Sequence, residues 1–293
     1  MTVNPMLSCR QRGLEPCPPC RLGEYGLCRR TREGVPGPGP TIGYSPRAGG
    51  GWSEGFVAHV SQLHRADGLA DDVAVLADPF ASALRGVLDQ PPREGDVVLV
   101  IGAGTIGLLA IRALRATGWR GEVAALGRYP AQRELALRAG ATRVFAGRAE
   151  LLAWAGGLPD ARVYRPTLAP AFVEGGPSLV YDTVGARSSL ADALALARGG
   201  GRVVLVGAAA HVQLDLTRLW YRHLTLAGIF VYGMAQFRGE RQDIFAAAMA
   251  LLREGALDGL PLVTHRFPLA EYRTAIATAL DKRAGAVKVV FAR

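Results

Sequence analysis

Five consecutive apolar residues, 97–101, run without interruption into Gly102-Ala103-Gly104-Thr105-Ile106-Gly107, and apolar residues then recur at helical spacing. A Gly-x-Gly-x-x-Gly turn between a buried strand and a helix admits few structures. The first glycine makes the tight turn, the second lets a backbone approach a pyrophosphate, and the third lets helix and strand pack with no Cβ between them. Free N–H groups at the helix start then face the anion. Gly102, Gly104, Thr105, Ile106 and Gly107 are therefore the expected cofactor-binding turn. The plainer alternative, a glycine-rich turn with no ligand, is disfavoured by the strand-turn-helix context.

The rest of the chain supplies a sheet for that turn. From Asp96 onward, short apolar runs at 97–101, 123–126, 143–145, 179–181, 203–206 and 224–229 alternate with amphipathic stretches beginning near Ile106, Pro130, Ser188 and Asp243. Near-continuous apolar strands between helices predict an α/β fold, a doubly wound parallel sheet of the Rossmann type covered on both faces. Upstream, residues 49–69 read as strand and turn, and 71–90 carry Val75, Leu76, Phe80, Leu84 and Val87 at helical spacing, closed by Pro91 and Pro92. The last stretch reads as a strand over 262–267, a helix over 268–280 and a strand over 286–291.

The second strand decides the cofactor. A site for NAD normally ends that strand in Asp or Glu, whose carboxylate holds the adenine ribose hydroxyls. Here the strand ends in Gly127-Arg128-Tyr129. A guanidinium at that place pairs with a 2′-phosphate in bidentate fashion, which predicts NADP, with NAD as the alternative. Asp182-Thr183-Val184-Gly185, after the fourth strand, and Gly207-Ala208, after the fifth, lie at carboxyl ends of strands and are expected to wall the nicotinamide side.

All four cysteines, Cys9, Cys17, Cys20 and Cys28, fall in one segment rich in Pro, Gly and Arg, with almost no periodic apolar pattern. Clustering of this kind points to a metal rather than disulfides, and four thiolates complete a tetrahedral zinc sphere. A closed sphere leaves no open position for substrate, so this zinc is expected to be structural. Buried free thiols or an iron–sulfur cluster are the alternatives.

Net charge is +9, from 34 Lys and Arg against 25 Asp and Glu, with lysine only at Lys282 and Lys288. The arginines are scattered and no basic cluster is interleaved with aromatics, so neither a nucleic-acid nor a membrane partner is expected. No apolar run reaches the roughly 18 residues of a membrane span, nor does the start have a secretory layout, and a cytoplasmic location is the default.

The residues together resemble the zinc-containing medium-chain dehydrogenases, of the alcohol, sorbitol and threonine dehydrogenase type. The resemblance rests on Cys20-Arg-Leu-Gly-Glu-Tyr-Gly-Leu-Cys28, Gly50-Gly51-Trp52-Ser53-Glu54 with Phe56-Val57, Asp78-Pro79, the turn at Gly102 to Gly107, and Val263-Thr264-His265-Arg266-Phe267-Pro268-Leu269. It implies a Rossmann domain joined to a β-rich domain of the GroES type bearing a zinc-binding lobe. On that basis, residues 1–90 are a partial GroES-like domain with the lobe. Residues 91–232 are the dinucleotide-binding domain, and 233–293 its end and the return to the first domain. It further implies hydride transfer between nicotinamide and a small alcohol, polyol or carbonyl. A homodimer or homotetramer, paired through the stretch Leu224 to Tyr232, is also implied.

Two departures from the family pattern bear on the metals. Seven residues separate Cys9 from Cys17 where relatives have two. Relatives also carry, ahead of the matching part, a Cys in a Gly-x-Cys-Gly context and a Gly-His-Glu that hold a catalytic zinc, and this sequence begins after them. Asp78, where sorbitol- and threonine-type relatives have Glu before Pro, is the one remaining candidate catalytic ligand, and a single carboxylate leaves a catalytic zinc doubtful. A second reading is thus a nucleotide-binding relative without turnover; a third, remote one is a zinc-ribbon module on nucleic acid.

Overall fold

The computed structural model describes residues 1–292. Its centre is a six-stranded sheet built from β1 (Val98–Ile101), β2 (Val123–Leu126), β3 (Arg143–Phe145), β4 (Leu179–Asp182), β5 (Arg202–Leu205) and β6 (Thr225–Gly228). The strand order is β6-β5-β4-β1-β2-β3, and every pairing is parallel. In β1, Val98 and Val100 enter one core cluster while Leu99 and Ile101 enter the other. Both faces being covered is why this strand is an unbroken apolar run rather than an alternating one.

Helices cover the two faces. On one lie α1 (Ala77–Asp89) and α2 (Thr105–Ala116), with α6 (Ile244–Arg253) against α1. Phe80, Leu84 and Val87 of α1 recur at one helical face, are essentially solvent-free, and each contributes about 1.5–3 kcal/mol of burial. On the other face, α4 (Arg148–Gly156) and α5 (Arg187–Leu196) bury Leu151, Leu152, Ala193 and Leu194. The remaining longer helices are α3 (Pro130–Ala139) and α7 (Tyr272–Leu280).

The strands expected from residue 97 onward all form, with ends moved by one or two residues, as fraying permits. Three local expectations change. The helix expected over 71–90 is a single turn, Asp71–Ala74, followed by α1 starting at Ala77. Pro79 has no N–H and its ring opposes the carbonyl four residues back, so it is accommodated only in a first turn. Residues 49–62 form no strand, and regular extension there is confined to Leu63–His64, paired with Thr2–Val3. Finally, α4 and the hairpin of Arg162–Tyr164 with Phe172–Glu174 stand between β3 and β4, where no element was expected.

That hairpin covers Arg222, which is 7% exposed and whose two Nη atoms are buried without hydrogen-bond partners. Its guanidinium lies 5.8 Å from the Phe172 centroid. Such stacking is worth about 0.5–2 kcal/mol, against about 1–3 kcal/mol for leaving a buried donor unsatisfied. Arg222→Met is accordingly expected to leave stability unchanged or raise it by about 1 kcal/mol. A fall of more than that in denaturant unfolding refutes this balance.

Before Asp71 the chain is mostly turns, gathered around Arg12 and the four cysteines. At the far end, Val263–Phe267 and Lys288–Phe291 form a separate parallel pair. Among the described residues no helix is long and apolar enough to cross a membrane.

Candidate functional site

The sheet reverses its winding between β1 and β4: β2 and β3 lie to one side of β1, and β4, β5 and β6 to the other. Crevices at such a switch point are where doubly wound sheets take ligands. Gly102 ends β1 there with φ +99°, a backbone state that L side chains rarely adopt. A Cβ at Gly107 would overlap the Gly102 carbonyl oxygen, so α2 can start this close to the strand only with glycine. A Cβ at Gly104 would meet nothing within 4 Å: this is open space on the outer side of the turn. Thr105, first residue of α2, donates its hydroxyl to the Val287 carbonyl at 2.8 Å, which ties the turn to the C-terminal strand, while Ile106 is half-buried.

Thr183 is brought to the turn, donating its Oγ1 to the carbonyls of Ile101 and Gly102 at 3.0 Å each. Gly207 packs backbone against backbone on Val184 and Gly185. Asp182 is what holds this wall. Its Oδ1 accepts from the N–H groups of Val184 and Gly185 at 2.9 and 3.1 Å, and its Oδ2 from the Ser189 hydroxyl at 2.9 Å. Burial pushes its carboxyl above the usual range, and these three bonds oppose that shift. Its polar residue type in an apolar strand was the available signal.

At the end of β2, Gly127 abuts the glycine turn: a Cβ on it would lie 3.2 Å from the Ala103 Cβ. Arg128 follows, exposed, with no hydrogen-bond or ion-pair partner for its guanidinium among the described residues. Arg133, in the first turns of α3, reaches back with Nη1 to the carbonyls of Gly127 and Arg128 at 3.1 Å each, adding a second cation to this corner.

Asp78 stands apart from the turn, on the wall of a cleft of ≈ 640 Å³ also lined by Asp71, Asp72, Phe245, Arg266 and Phe291. Its Oδ1 accepts the Tyr232 hydroxyl at 2.9 Å. Burial raises its pKa, with the Tyr232 bond and the Lys288 charge opposing. The C-terminal strand and the residue before it link cleft and turn, because Val287 receives Thr105 while Lys288 neighbours Asp78 and Phe291 lines the cleft.

The four cysteines converge, their sulfurs lying within 4.8 Å of one another. Cys9 and Cys28 are 3.7 Å apart, against an edge of about 3.8 Å for a tetrahedron with zinc–sulfur bonds of about 2.3 Å. The longer spacing after Cys9 is absorbed by a 3-10 turn over Arg10–Arg12 ending in a left-handed Gly13. At Cys17 burial opposes ionisation, yet the N–H groups of Arg29 and Cys20 and the neighbouring thiols outweigh it and bring the thiol to about 6. These residues fit a zinc ion. For a second, catalytic zinc no comparable set exists: the cysteines are the only such ligand group among the described residues, and Asp78 is not part of one.

Comparison with known proteins agrees with this architecture. Residues 105–253, just over half of the chain, match the family model described as zinc-binding dehydrogenase. An L-threonine 3-dehydrogenase of Paraburkholderia xenovorans is 28% identical over 274 residues, covering 92% of this chain and 70% of that protein. An L-arabinitol 4-dehydrogenase of Aureobasidium melanogenum is 27% identical over 305 residues, covering 99% and 70%. Among solved structures, a putative zinc-binding dehydrogenase of Sinorhizobium meliloti 1021 bound to NADP superposes with a TM-score of 0.74 at 27% identity, over 99% of this chain and 75% of that one. Fold, glycine turn, cysteine cluster and sequence relatives thus agree, and the chain belongs to the zinc-binding dehydrogenases.

Proposed function

We propose that this chain is an NADP-preferring dehydrogenase of small alcohols or polyols. The reaction removes a hydride from the carbinol carbon to the nicotinamide and releases the hydroxyl proton, giving carbonyl, NADPH and H⁺. Gly102, Gly104, Thr105, Ile106 and Gly107 hold the pyrophosphate on the start of α2, and Thr183 and Gly207 wall the nicotinamide side. Asp78 presents its carboxylate to the substrate from the wall of the cleft it shares with Asp71 and Asp72. Cys9, Cys17, Cys20 and Cys28 carry a structural zinc. No step is assigned to a catalytic zinc, for which the described residues supply no ligand set. Polyhydroxylated substrates are favoured by relatives named for arabinitol and galactonate. Nothing in the comparisons favours a non-catalytic relative.

The same reading divides the chain at residues 1–90, 91–232 and 233–293. Exposed Leu226 and Phe230, on and just after the edge strand β6, support pairing of two copies as a homodimer or homotetramer.

The observation that carries the cofactor preference is Arg128, an unpaired guanidinium beside the glycine turn where NAD sites place a carboxylate. Steady-state assays over a polyol and alcohol panel are expected to show kcat/KM at least about tenfold higher with NADP⁺ than NAD⁺, and Arg128→Asp to reverse the order by repelling the 2′-phosphate. Equal use of both cofactors by the wild-type chain sinks the preference.

A further inference from the structure

The cysteine lobe contains a cation that zinc ligation by itself does not require. Arg12 lies in the longer Cys9–Cys17 spacing and is 2% exposed, the largest fully buried side chain in the protein. Its Nε donates to the Leu7 carbonyl at 2.8 Å, its Nη1 to those of Glu33 and Gly37 at 2.7 Å each, and its Nη2 to that of Gly39. These bonds close the 33–39 loop over the lobe, and they go to neutral carbonyls. A guanidinium taken out of water needs a compensating negative charge as well as acceptors. The charges that act on Arg12 are, in order, those of Cys28, Cys9 and Glu33. Glu33 has a side chain 57% exposed and sits beside Arg30, so solvent screens it. The buried thiolates are what remains.

The need is reciprocal. Four thiolates around one Zn²⁺ leave a net charge of two minus, since four negative sulfurs meet only two positive charges, at a site where Cys9, Cys17 and Cys28 are buried and Cys20 half-buried. We propose that Arg12 is the built-in counter-ion of the zinc tetrathiolate, halving its net charge and thereby tightening zinc, in addition to bracing the 33–39 loop. The proposal rests on the reading of the four cysteines as a zinc site. Its source in the chain is the extended Cys9–Cys17 spacing, whose turn at Arg10–Arg12 carries the side chain into the lobe. A planar fork suits the double role: it reaches four carbonyls while keeping its charge.

The test compares the whole chain with Arg12→Gln, which keeps a donor without charge, and Arg12→Lys, which keeps the charge with fewer bonds. Zinc per chain is measured first, then zinc affinity by competition with a chromophoric chelator. The expected result is one zinc in the wild-type chain, at least about tenfold weaker binding in Arg12→Gln, as for loss of other outer partners of metal ligands, and Arg12→Lys weakened by about threefold or less. Equal weakening of the two variants overturns the counter-ion and leaves Arg12 a hydrogen-bonding hub, and unchanged affinity in both overturns it as well. A wild-type chain that binds no zinc overturns the site reading on which the proposal rests. If Arg12→Gln does not fold, Arg12→Lys decides: zinc held within about threefold of wild type supports the charge role, and lost zinc refutes it.

Discussion

Gly107→Ala is expected to weaken binding of NADPH and NADH at least about a hundredfold, equivalent to about 2.8 kcal/mol. The added Cβ overlaps the Gly102 carbonyl oxygen and crowds Thr183 Oγ1, so either α2 retreats from β1 or Gly102 leaves its left-handed conformation. Both outcomes move the N–H groups that face the pyrophosphate. Gly104→Ala supplies the control, because its Cβ meets no protein atom within 4 Å. It is expected to leave the unfolding midpoint unchanged while also weakening the cofactor, since the space it fills is the ligand's. Titration of cofactor fluorescence, alongside denaturant unfolding, separates the two. Wild-type affinity in Gly107→Ala refutes the turn as the binding site.

Removing the zinc proposed for the cysteine lobe is expected to have the second large effect. The segment 9–47 has no regular element longer than the four residues of Pro18–Arg21, and apart from Cys9, Arg12, Cys17 and Cys28 it buries only small residues, Gly23, Gly37, Thr41 and Ser45. Structural zinc contributes apparent free energies of about 10–16 kcal/mol in small metal-folded modules, more than loops of this kind can recover from packing. Cys17→Ser, or exhaustive chelation of the wild-type chain, is therefore expected to open this segment to limited proteolysis. The cysteines join only one of the sheet's two cores, and the other, around Leu99 and Ile101, contains none of them, so cofactor affinity should change by less than about threefold. Unaltered protease resistance after verified zinc removal counts decisively against a structural metal.

Much of this molecule was legible because its signals are local. β1 and its glycine turn are contiguous, and the alternation of apolar runs with amphipathic stretches follows from both faces of each strand being buried. The cysteine cluster was legible for the same reason, being close in sequence and poor in competing explanations. α4 was missed although Leu151, Leu152 and Ala155 carry a helical pattern, since a short helix beside an inserted hairpin departs from the simple alternation. The break in the helix over 71–90 was also present in the sequence, at Pro79.

What only the tertiary structure decided lies between residues far apart along the chain. Tyr232 hydrogen-bonds Asp78 across 154 positions, and Thr105 binds the Val287 carbonyl across 182. Neither pairing has a periodicity or spacing to announce it. Asp182 is one polar residue of the expected wall, and only the structure shows its carboxylate holding Val184, Gly185 and Ser189. Arg12 is one of many scattered arginines in the sequence, and only burial separates it, with Arg222, from the more exposed rest. The physical division is plain: backbone conformation and apolar periodicity are properties of neighbours, which a sequence records directly. The partner of a buried charge is chosen by three-dimensional packing, where desolvation makes a distant residue decisive.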